Sequence, residues 1–514
     1  MSTKTETVRS GTLHDFIDGA TVREARAALG TSLRFDPGLT SDPSLSGLLG
    51  RVVRPRIGLL PTGHFYYWDQ YPGLKEAGMR MYAKLRGHLD PLGDVVACEL
   101  VDTQEKAAAA GQFFRDQGID LLLIFPFGYT PAMCMVPAVH GLDVPLRLIN
   151  AHEDRSYDYA NSDTSNYLHH EGPCCIPEYA AALLSMGRKF RVRSGPFSDN
   201  RLWNELRADC LGTAAARRFR ELNCGLIGQT YTNMVDMPTD EHRILRATGK
   251  MLLRPEVEEI EAAYARVTPG QLDAMLAELR AMYDVDPTVT DNDMTVSAKL
   301  AVAYDEVIHR HDISSFGYFW WGERPLITEL RSQSAVAVSR LTSLGRPGVT
   351  EGDVKTAMGM KFLDLLGAGG MFVEFFAFDY DENFVLMGHD GPSNINVAEG
   401  RPKLQHLHTQ HGKSGEGLGI DFDMRQGPVT LLNWTQFNSG EGFKLIYTIG
   451  EVVPGEVLRI GNPNCRVKVQ KPLHQFMDDW CQQGPCHHVA LGLGDRSGEV
   501  EAFAESMKFG CVRV

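Results

Sequence analysis

The chain has no long apolar run, no export signal and no excess of basic residues. Its longest apolar stretch, around Leu121–Phe127, is far too short to span a bilayer. The first residues, Met1–Thr7, contain no apolar segment of the kind that a signal peptide needs, so we expect no export. Lys+Arg number 51 against Asp+Glu 65, and a net charge of −14 disfavours nucleic acid or an anionic membrane as the main partner. We therefore expect a soluble cytoplasmic protein that acts on a small molecule.

The sequence patterns of several common cofactor sites are also missing. The 10 cysteines are not paired at zinc-ribbon spacing, and without export they are typical of reduced, buried thiols. The segment His411–Ser414 looks like the end of a phosphate-binding loop, but Leu407 stands where the leading glycine is required. No glycine fingerprint opens a helix directly after a strand, so dinucleotide binding is unsupported.

The order of apolar runs and helical periods predicts the fold class. From Arg56 onward, short apolar runs such as Ile57–Pro61 alternate with helical patterns such as Gly73–Leu89, which is typical of a parallel sheet covered on both faces. A second unit of this kind starts at Cys224, and beyond Gly370 short apolar runs are separated by turn residues. We therefore predict an α/β protein with two Rossmann-like parallel-sheet domains and a β-rich C-terminal domain, either a barrel or a sandwich.

The predicted parts have the following limits. An N-terminal extension covers residues 1–52, an N-terminal α/β domain covers 53–222, a central α/β domain covers 223–369, and the β-rich domain covers 370–514. Ligand-facing loops of a parallel sheet lie at the carboxyl ends of its strands. In the first domain, this places Pro61–Trp68, Phe125–Tyr129 and Asn150–His152 around one crevice.

Four residues of the C-terminal half are of the types that bind a hard divalent cation. Glu351 follows Thr350, which we expect to cap a helix and hold the carboxylate in its first turn. Glu374 lies in an aromatic strand, where a carboxylate is costly to bury unless a cation or a donor compensates it. His389 lies in a glycine-flanked turn, and His488 starts another apolar run. Two carboxylates and two imidazoles suit Mn²⁺, Co²⁺ or Mg²⁺ better than a thiolate site would.

Five segments that contain these residues resemble the L-arabinose isomerase and L-fucose isomerase superfamily, and more closely its arabinose isomerase branch. They recur in that family's order and at similar separations: Ala337–Leu341, Glu351–Ala357, Phe372–Glu374, Val385–His389 and His487–His488. The resemblance runs from about Arg56 to the C-terminus. It implies that Glu351, Glu374, His389 and His488 are metal ligands, with manganese as the first choice and cobalt or magnesium as alternatives. It also implies that the two glutamates form the acid/base pair.

The resemblance implies sugar contacts and an assembly as well. His64 and Tyr66 lie in the first substrate loop, Met234 and Phe319 in sugar-contacting segments, and His170 where the family supplies a histidine to a neighbouring subunit. We therefore expect a homo-trimer or homo-hexamer with shared active sites. Phe319 belongs to the aromatic cluster Phe316–Trp321, for which a place in the buried core is the first interpretation and a wall of the sugar pocket the second.

The sequence also departs from the family. Gly388–Pro392 lacks the serine and the apolar-Glu pattern that the family has at this point, and the loop at Thr62–Tyr67 differs from that of the arabinose enzymes. The resemblance thus predicts a metal-dependent aldose–ketose isomerase for a pentose or a (deoxy)hexose, working through a cis-enediol, without identifying the sugar. The alternatives are another sugar-active metal enzyme, such as an epimerase or an oxygenase, and a sugar-binding protein without catalysis.

Overall fold

The computed structural model describes residues 52–320, 333–406 and 417–514. The predicted N-terminal extension, apart from Val52, lies outside these ranges, as do Trp321 of the aromatic cluster and the segment His411–Ser414. Among the described helices, none is both long enough and apolar enough to cross a membrane.

A parallel sheet of five strands is formed by the first part of the chain, in the order β2-β1-β3-β4-β5. Its strands are β1 (Arg56–Thr62), β2 (Asp94–Ala97), β3 (Leu121–Pro126), β4 (Leu146–His152) and β5 (Phe190–Pro196). The helices of this part are α1 (Leu74–Leu89), α2 (Gln104–Gln117), α3 (Val136–Val139), α4 (Thr164–His169), α5 (Gly172–Ser185) and α6 (Asn200–Glu221). The fully buried strand residues of the two hydrophobic clusters around this sheet come from the inner strands β1, β3 and β4, and β3 consists entirely of buried apolar residues.

A second, smaller parallel sheet follows, in the order β6-β8-β9. Its strands are β6 (Asn223–Gly228), β8 (Ile313–Phe319) and β9 (Gly348–Val349). The helices of this region are α7 (Glu241–Thr248), α8 (Val257–Ala265), α9 (Pro269–Met282), α10 (Asp291–Arg310), α11 (Ala335–Ser343) and α12 (Val354–Leu365). Helices α8 and α9 are separate because Thr268 caps a new helix that has Pro269 at its first position.

The C-terminal part forms an antiparallel barrel of six strands, in which β14 pairs with both β17 and β15 and so closes the ring. The barrel strands are β10 (Met371–Asp379), β11 (Phe384–Gly388), β14 (Gly427–Thr435), β15 (Lys444–Val453), β16 (Asn464–Val469) and β17 (Val489–Leu493). Three shorter strands, β7 (Asp284–Val285), β12 (Lys403–His406) and β13 (Leu418–Asp421), form a separate sheet, and β18 (Gly510–Arg513) adds to β15. The remaining helices are α13 (Leu473–Gln482) and α14 (Ser497–Met507). The prediction of two parallel sheets followed by a β-rich part is confirmed. Of the two forms predicted for the β-rich part, the structure has the barrel.

Helices α6 and α14 connect the first sheet to the barrel region through a glycine contact. A Cβ atom added to Gly212 of α6 would lie 2.4 Å from the backbone oxygen of Glu499 and 2.8 Å from the Cβ of Ala502. Both neighbours are held by α14 itself, so they cannot move away as a flexible side chain would. The close approach of the two helices therefore depends on the absence of a side chain at position 212.

We predict that Gly212→Ala destabilises the protein by about 1–3 kcal/mol, because the added methyl group overpacks this helix contact. Gly87→Ala is the matched control, since a Cβ atom at Gly87 in α1 meets nothing within 4 Å. It should stabilise the protein by about 0.4–1 kcal/mol through the unfolded chain. Urea unfolding of both variants measures the difference, and equal midpoints would contradict the account of the α6–α14 contact.

Candidate metal centre

The four residues predicted as metal ligands are brought together by the short turn before α12 and the rim of the barrel. Glu351 lies in the turn that follows β9, Glu374 lies on β10, His389 comes directly after β11, and His488 comes directly before β17. Because β10 pairs with both β11 and β17, their ends meet at one place. One oxygen of Glu351 and one ring nitrogen each of His389 and His488 lie within 4.8 Å of one another. Glu374 lies equally close to His488, in a second group that also contains His487.

The turn that carries Glu351 has an unusual backbone. Glu351 has φ +63° and Gly352 has φ +73°, so two successive residues are left-handed. A Cβ atom at Gly352 would lie 2.5 Å from the backbone oxygen of Gln229, which leaves room only for glycine. The prediction that Thr350 caps the following helix is wrong: Asp353 caps α12, since its carboxylate accepts a hydrogen bond from the amide of Thr356 at 3.2 Å. The left-handed turn, rather than a helical first turn, presents Glu351 to the two histidines.

The two histidines face each other through their Nε2 atoms, which lie 3.1 Å apart. The Nδ1 of His488 donates to the carboxylate of Asp353 at 3.1 Å, and the Nδ1 of His389 donates to the backbone oxygen of Asp390 at 2.6 Å. Burial lowers the pKa of both rings, so each is neutral and carries its single proton on Nδ1. Two nitrogen lone pairs therefore point at the same small volume, an arrangement that a bound cation would stabilise.

The carboxylate of Glu351 completes this volume. Its Oε1 lies 3.8 Å from Nε2 of His389, and its Oε2 lies 3.6 Å from Nε2 of His488. Oε2 is buried and has no hydrogen-bond partner. Burial raises the pKa of Glu351 to about 7, and the nearby Glu374, Asp353 and Asp236 carboxylates act in the same direction, while His487 opposes them. An orphaned carboxylate oxygen beside two imidazole lone pairs is a donor set that fits a divalent cation.

The residues around the ligands hold them in place. Asp353 is fully buried, and its pKa is held well below the ordinary range by Lys355 and by the hydrogen bond from His488, against the opposing effect of burial. Phe372 packs its ring against both histidines, with ring centroids 4.2 Å from His389 and 4.3 Å from His488. The Nδ2 of Asn462 donates to the backbone oxygen of His389 at 3.1 Å. Partners of this kind fix the tautomer and orientation of metal-binding histidines.

Sequence reasoning missed several of these supporting residues. Asp353 stands two positions after Glu351, where its role as a helix cap was a recognisable signal. His487 was noted only as part of the His487–His488 pair, without a role. Asp236 lies 251 positions from the His487 side chain that it binds, and a pairing over that distance leaves no local pattern in a sequence.

The five residues predicted to contact a sugar fall into two groups. Phe319 is buried at the end of β8 beside Tyr231, with ring centroids 4.8 Å apart, and the amide of Tyr231 donates to the backbone oxygen of Glu351 at 2.9 Å. Met234 lies in the same loop as Tyr231, two positions before Asp236. Phe319 is thus connected through Tyr231 to the turn that carries Glu351, and Met234 is connected to Asp236 along the chain.

The other three lie at the carboxyl edge of the first sheet, where the crevice was predicted. His64 packs against Tyr66 and Tyr129, with ring centroids 5.2 Å and 6.1 Å away, and Tyr66 is largely exposed. His170 donates from Nδ1 to the backbone oxygen of Asn166 at 2.8 Å, and its Nε2 lies 3.1 Å from Asp154. Within one chain, the contacts of His64, Tyr66 and His170 do not reach Glu351, Glu374, His389 or His488.

We predict that Mn²⁺ stabilises the protein through this centre. A ligand present at 100 times its dissociation constant adds about 2.7 kcal/mol to the free energy of unfolding, provided that it binds only the folded state. Thermal unfolding with and without Mn²⁺ should therefore show a rise in Tm that is lost in His389→Ala. His242→Ala is the control, because this exposed histidine lies on α7 away from the centre. A rise in Tm that survives in His389→Ala would place the metal elsewhere.

Comparison of the sequence with known proteins identifies a family that this chain resembles. The model of the L-arabinose isomerase C-terminal domain matches residues 369–509. An L-arabinose isomerase from Nocardioides is 22% identical over 73% of this chain and 76% of its own length. One from Aeromonas hydrophila is 22% identical over 78% and 82%, and one from Koribacter versatilis is 21% identical over 75% and 78%.

Among solved structures, a periplasmic solute-binding protein from Actinobacillus succinogenes with bound D-allose is 15% identical over 54% of this chain and 82% of its own. Its TM-score of 0.15 is too low to bear on fold or function. The chain is thus distantly homologous to the L-arabinose isomerases, and its residues 369–509 match the model of their C-terminal domain.

Proposed function

We propose that this protein is a divalent-metal-dependent aldose–ketose isomerase that acts on a pentose or a (deoxy)hexose. The observation that carries the proposal is the meeting of Glu351, His389 and His488 with Glu374 in a chain homologous to sugar isomerases. Mn²⁺ is the first candidate for the cation, and Co²⁺ and Mg²⁺ have the same preference for mixed oxygen and nitrogen ligands. When bound, the cation supplies positive charge that polarises the sugar carbonyl and stabilises the negative charge that develops during proton transfer.

The two glutamates provide the proton transfer that the reaction needs. Interconversion of an aldose and a ketose moves a hydrogen between C1 and C2 and shifts the carbonyl group between them. A route through a cis-enediol requires one group that removes the proton from carbon and one that exchanges protons with the oxygens. Glu351 and Glu374 both lie against His488, so both carboxylates border the same small volume. We assign the two roles to the pair and not to either residue.

The residues around this volume define its shape and exclude part of the solvent from it. His389 and His488 are buried, and Phe372 closes the side behind them. Phe319 and Met234 belong to the loops beside Glu351, and we propose that they line the sugar pocket. A buried apolar wall strengthens the electrostatic interactions of the carboxylates that it borders.

We also propose that the active protein is a homo-oligomer, either a trimer or a hexamer, as the resemblance of the sequence implies. His64, Tyr66 and His170 lie at the edge of the first sheet, and within one chain they make no contact with the candidate centre. Contribution of these residues by a neighbouring subunit would bring them to the sugar. Light scattering of the purified protein measures the number of subunits, and a monomer that isomerises sugars at full rate would contradict this assembly.

The function is tested with a panel of pentoses and hexoses that includes L-arabinose, L-fucose and D-galactose. The metal-free protein and the protein loaded with Mn²⁺, Co²⁺ or Mg²⁺ are each incubated with every sugar, and the products are separated and identified. We expect a ketose from at least one sugar in the presence of metal and none without it. An epimer as the product, or tight sugar binding with no product, would identify an epimerase or a binding protein instead.

A further inference from the structure

His487 lies on the open side of the candidate metal centre. Its side chain is 37% exposed, whereas those of His488 and His389 are 0% and 5% exposed. One of its ring nitrogens lies within 4.8 Å of a Glu374 oxygen and of a His488 nitrogen. His487 is therefore the exposed histidine beside Glu374, next to the buried His488.

The orientation of the His487 ring is set by Asp236. The Nδ1 of His487 donates to Oδ2 of Asp236 at 2.6 Å, and the backbone amide of His487 donates to the same oxygen at 2.8 Å. A carboxylate accepts hydrogen bonds, so this contact places a ring proton on Nδ1. Nε2 is then the ring atom available to a ligand.

The backbone on both sides of His487 is also held by a second residue, Asn433. The Nδ2 of Asn433 donates to the backbone oxygens of Cys486 and His488, at 2.7 Å each, and its Oδ1 accepts from the amide of Cys486 at 3.1 Å. These bonds fix the chain on both sides of His487 without using Asp236. A change at Asp236 is therefore expected to alter the ring of His487 while the start of β17 stays in place.

We propose that His487 contacts the sugar through Nε2 beside Glu374, and that Asp236 is a positioning residue that fixes the ring and its tautomer. The inference rests on the proposed function, because it identifies a further contact at the same site. His487 is thereby a sugar-binding residue and not a metal ligand, and Asp236 acts through it without touching the sugar.

The test compares Asp236→Asn, Asp236→Glu and His487→Gln with the full-length wild type. Loss of a supporting partner at such a site reduces activity by about 10–100-fold, so we expect kcat/KM of Asp236→Asn and His487→Gln to fall within that range. Asp236→Glu keeps a carboxylate acceptor and should recover most of the loss. The affinity for Mn²⁺, measured by calorimetry on the same proteins, should stay within about twofold of wild type. A merely structural role would not separate kcat/KM from metal affinity in this way.

Glu259→Gln is the matched control. Glu259, on α8, accepts from Nε2 of His311 at 2.8 Å, so the two form a histidine–carboxylate pair of the same chemistry. Because this pair is not part of the candidate centre, kcat/KM should be unchanged. Full kcat/KM in Asp236→Asn overturns the proposal. A loss of Mn²⁺ affinity in His487→Gln as large as its loss of kcat/KM also overturns it, because His487 would then be a metal ligand.

Binding of the polyol L-arabinitol to the Mn²⁺-loaded proteins separates this inference from the proposed function. If wild type isomerises no sugar of the panel, the proposed function fails, and the inference is decided by the polyol alone. We expect about tenfold weaker binding of L-arabinitol to His487→Gln than to wild type, the size of effect that the loss of one hydrogen bond produces. Equal affinity in the two proteins, or no binding to either, overturns the inference.

Discussion

Isomerisation by the Glu351→Gln variant should fall about 10²–10⁴-fold below wild type, the range over which a positioned acid or base contributes to a rate. The substitution keeps the size of the side chain but removes the charge from the buried Oε2 that faces His488. It also replaces a proposed carboxylate metal donor by a weaker amide. Initial rates of ketose formation at saturating Mn²⁺ measure the effect.

Glu374→Gln should give a loss of the same order, because its carboxylate borders the same volume. Glu306→Gln is the control, since this half-exposed residue of α10 is paired with Arg310 outside the centre. Full activity in either of the first two variants would remove that residue from the proposed acid/base pair. A comparable loss in Glu306→Gln would show that the assay reports stability rather than chemistry.

The second large effect is expected at a buried ion cluster between the first sheet and the C-terminal helix. The carboxylate of Asp209, on α6, accepts from Arg147 of β4 at 2.9 Å and from Arg193 of β5 at 2.7 Å. Arg147 also pairs with Glu505 of α14 at 2.9 Å. Asp209→Asn leaves two guanidinium groups facing a neutral side chain, and breaking a buried pair in this way costs about 3–5 kcal/mol.

Urea unfolding at neutral pH measures this cost. Asp94→Asn is the control, because Asp94 pairs with Arg54 on the surface, where a salt bridge contributes about 0–1 kcal/mol. If Asp209→Asn unfolds at the same urea concentration as Asp94→Asn, the ion cluster does not stabilise the packing of the first sheet against α14.

The destabilisation at Asp209 should also depend on pH. Burial would raise the pKa of Asp209, but Arg147 and Arg193 outweigh it and hold the pKa below its ordinary value. A carboxylate with a lowered pKa in the folded state contributes stability above its unfolded pKa, about 3.9, and loses it as the pH falls through the folded value. The difference between wild type and Asp209→Asn should therefore be constant between about pH 5 and 8 and shrink below about pH 4. A difference that grows toward acid pH would contradict this assignment.

The sequence predicts the order of the two parallel sheets and the β-rich part well, because the change in the spacing of apolar residues near Gly370 is visible along the chain. It also predicts which residues meet at the centre, because the resemblance brought information from a whole family. Local conformation was harder to predict. Glu351 adopts a left-handed conformation in a turn where Gly352 lies close to the Gln229 backbone, and nothing in the local sequence specifies this approach.

The supporting contacts of the site could not be predicted from the sequence either, because they join residues that are far apart along the chain. Asp236 and Asn433 act on Cys486–His488 from distant parts of the chain, and only the folded structure shows that they meet. For the loop residues His64 and Tyr66, in contrast, the sequence predicted the position in the fold. The structure places them at the carboxyl edge of the first sheet, where the strand order predicts a crevice, and we propose that a second subunit brings them to the candidate metal centre.

The most direct test of the proposed reaction is the isomerisation of a panel sugar by the Mn²⁺-loaded wild type in D₂O, followed by mass spectrometry of the product. Proton transfer through a cis-enediol by Glu351 and Glu374 predicts a ketose that has gained carbon-bound deuterium from the solvent. A ketose that forms at full rate without any carbon-bound deuterium would contradict proton transfer by the two carboxylates. The absence of a ketose from every sugar of the panel, with the metal bound, would contradict the proposed function itself.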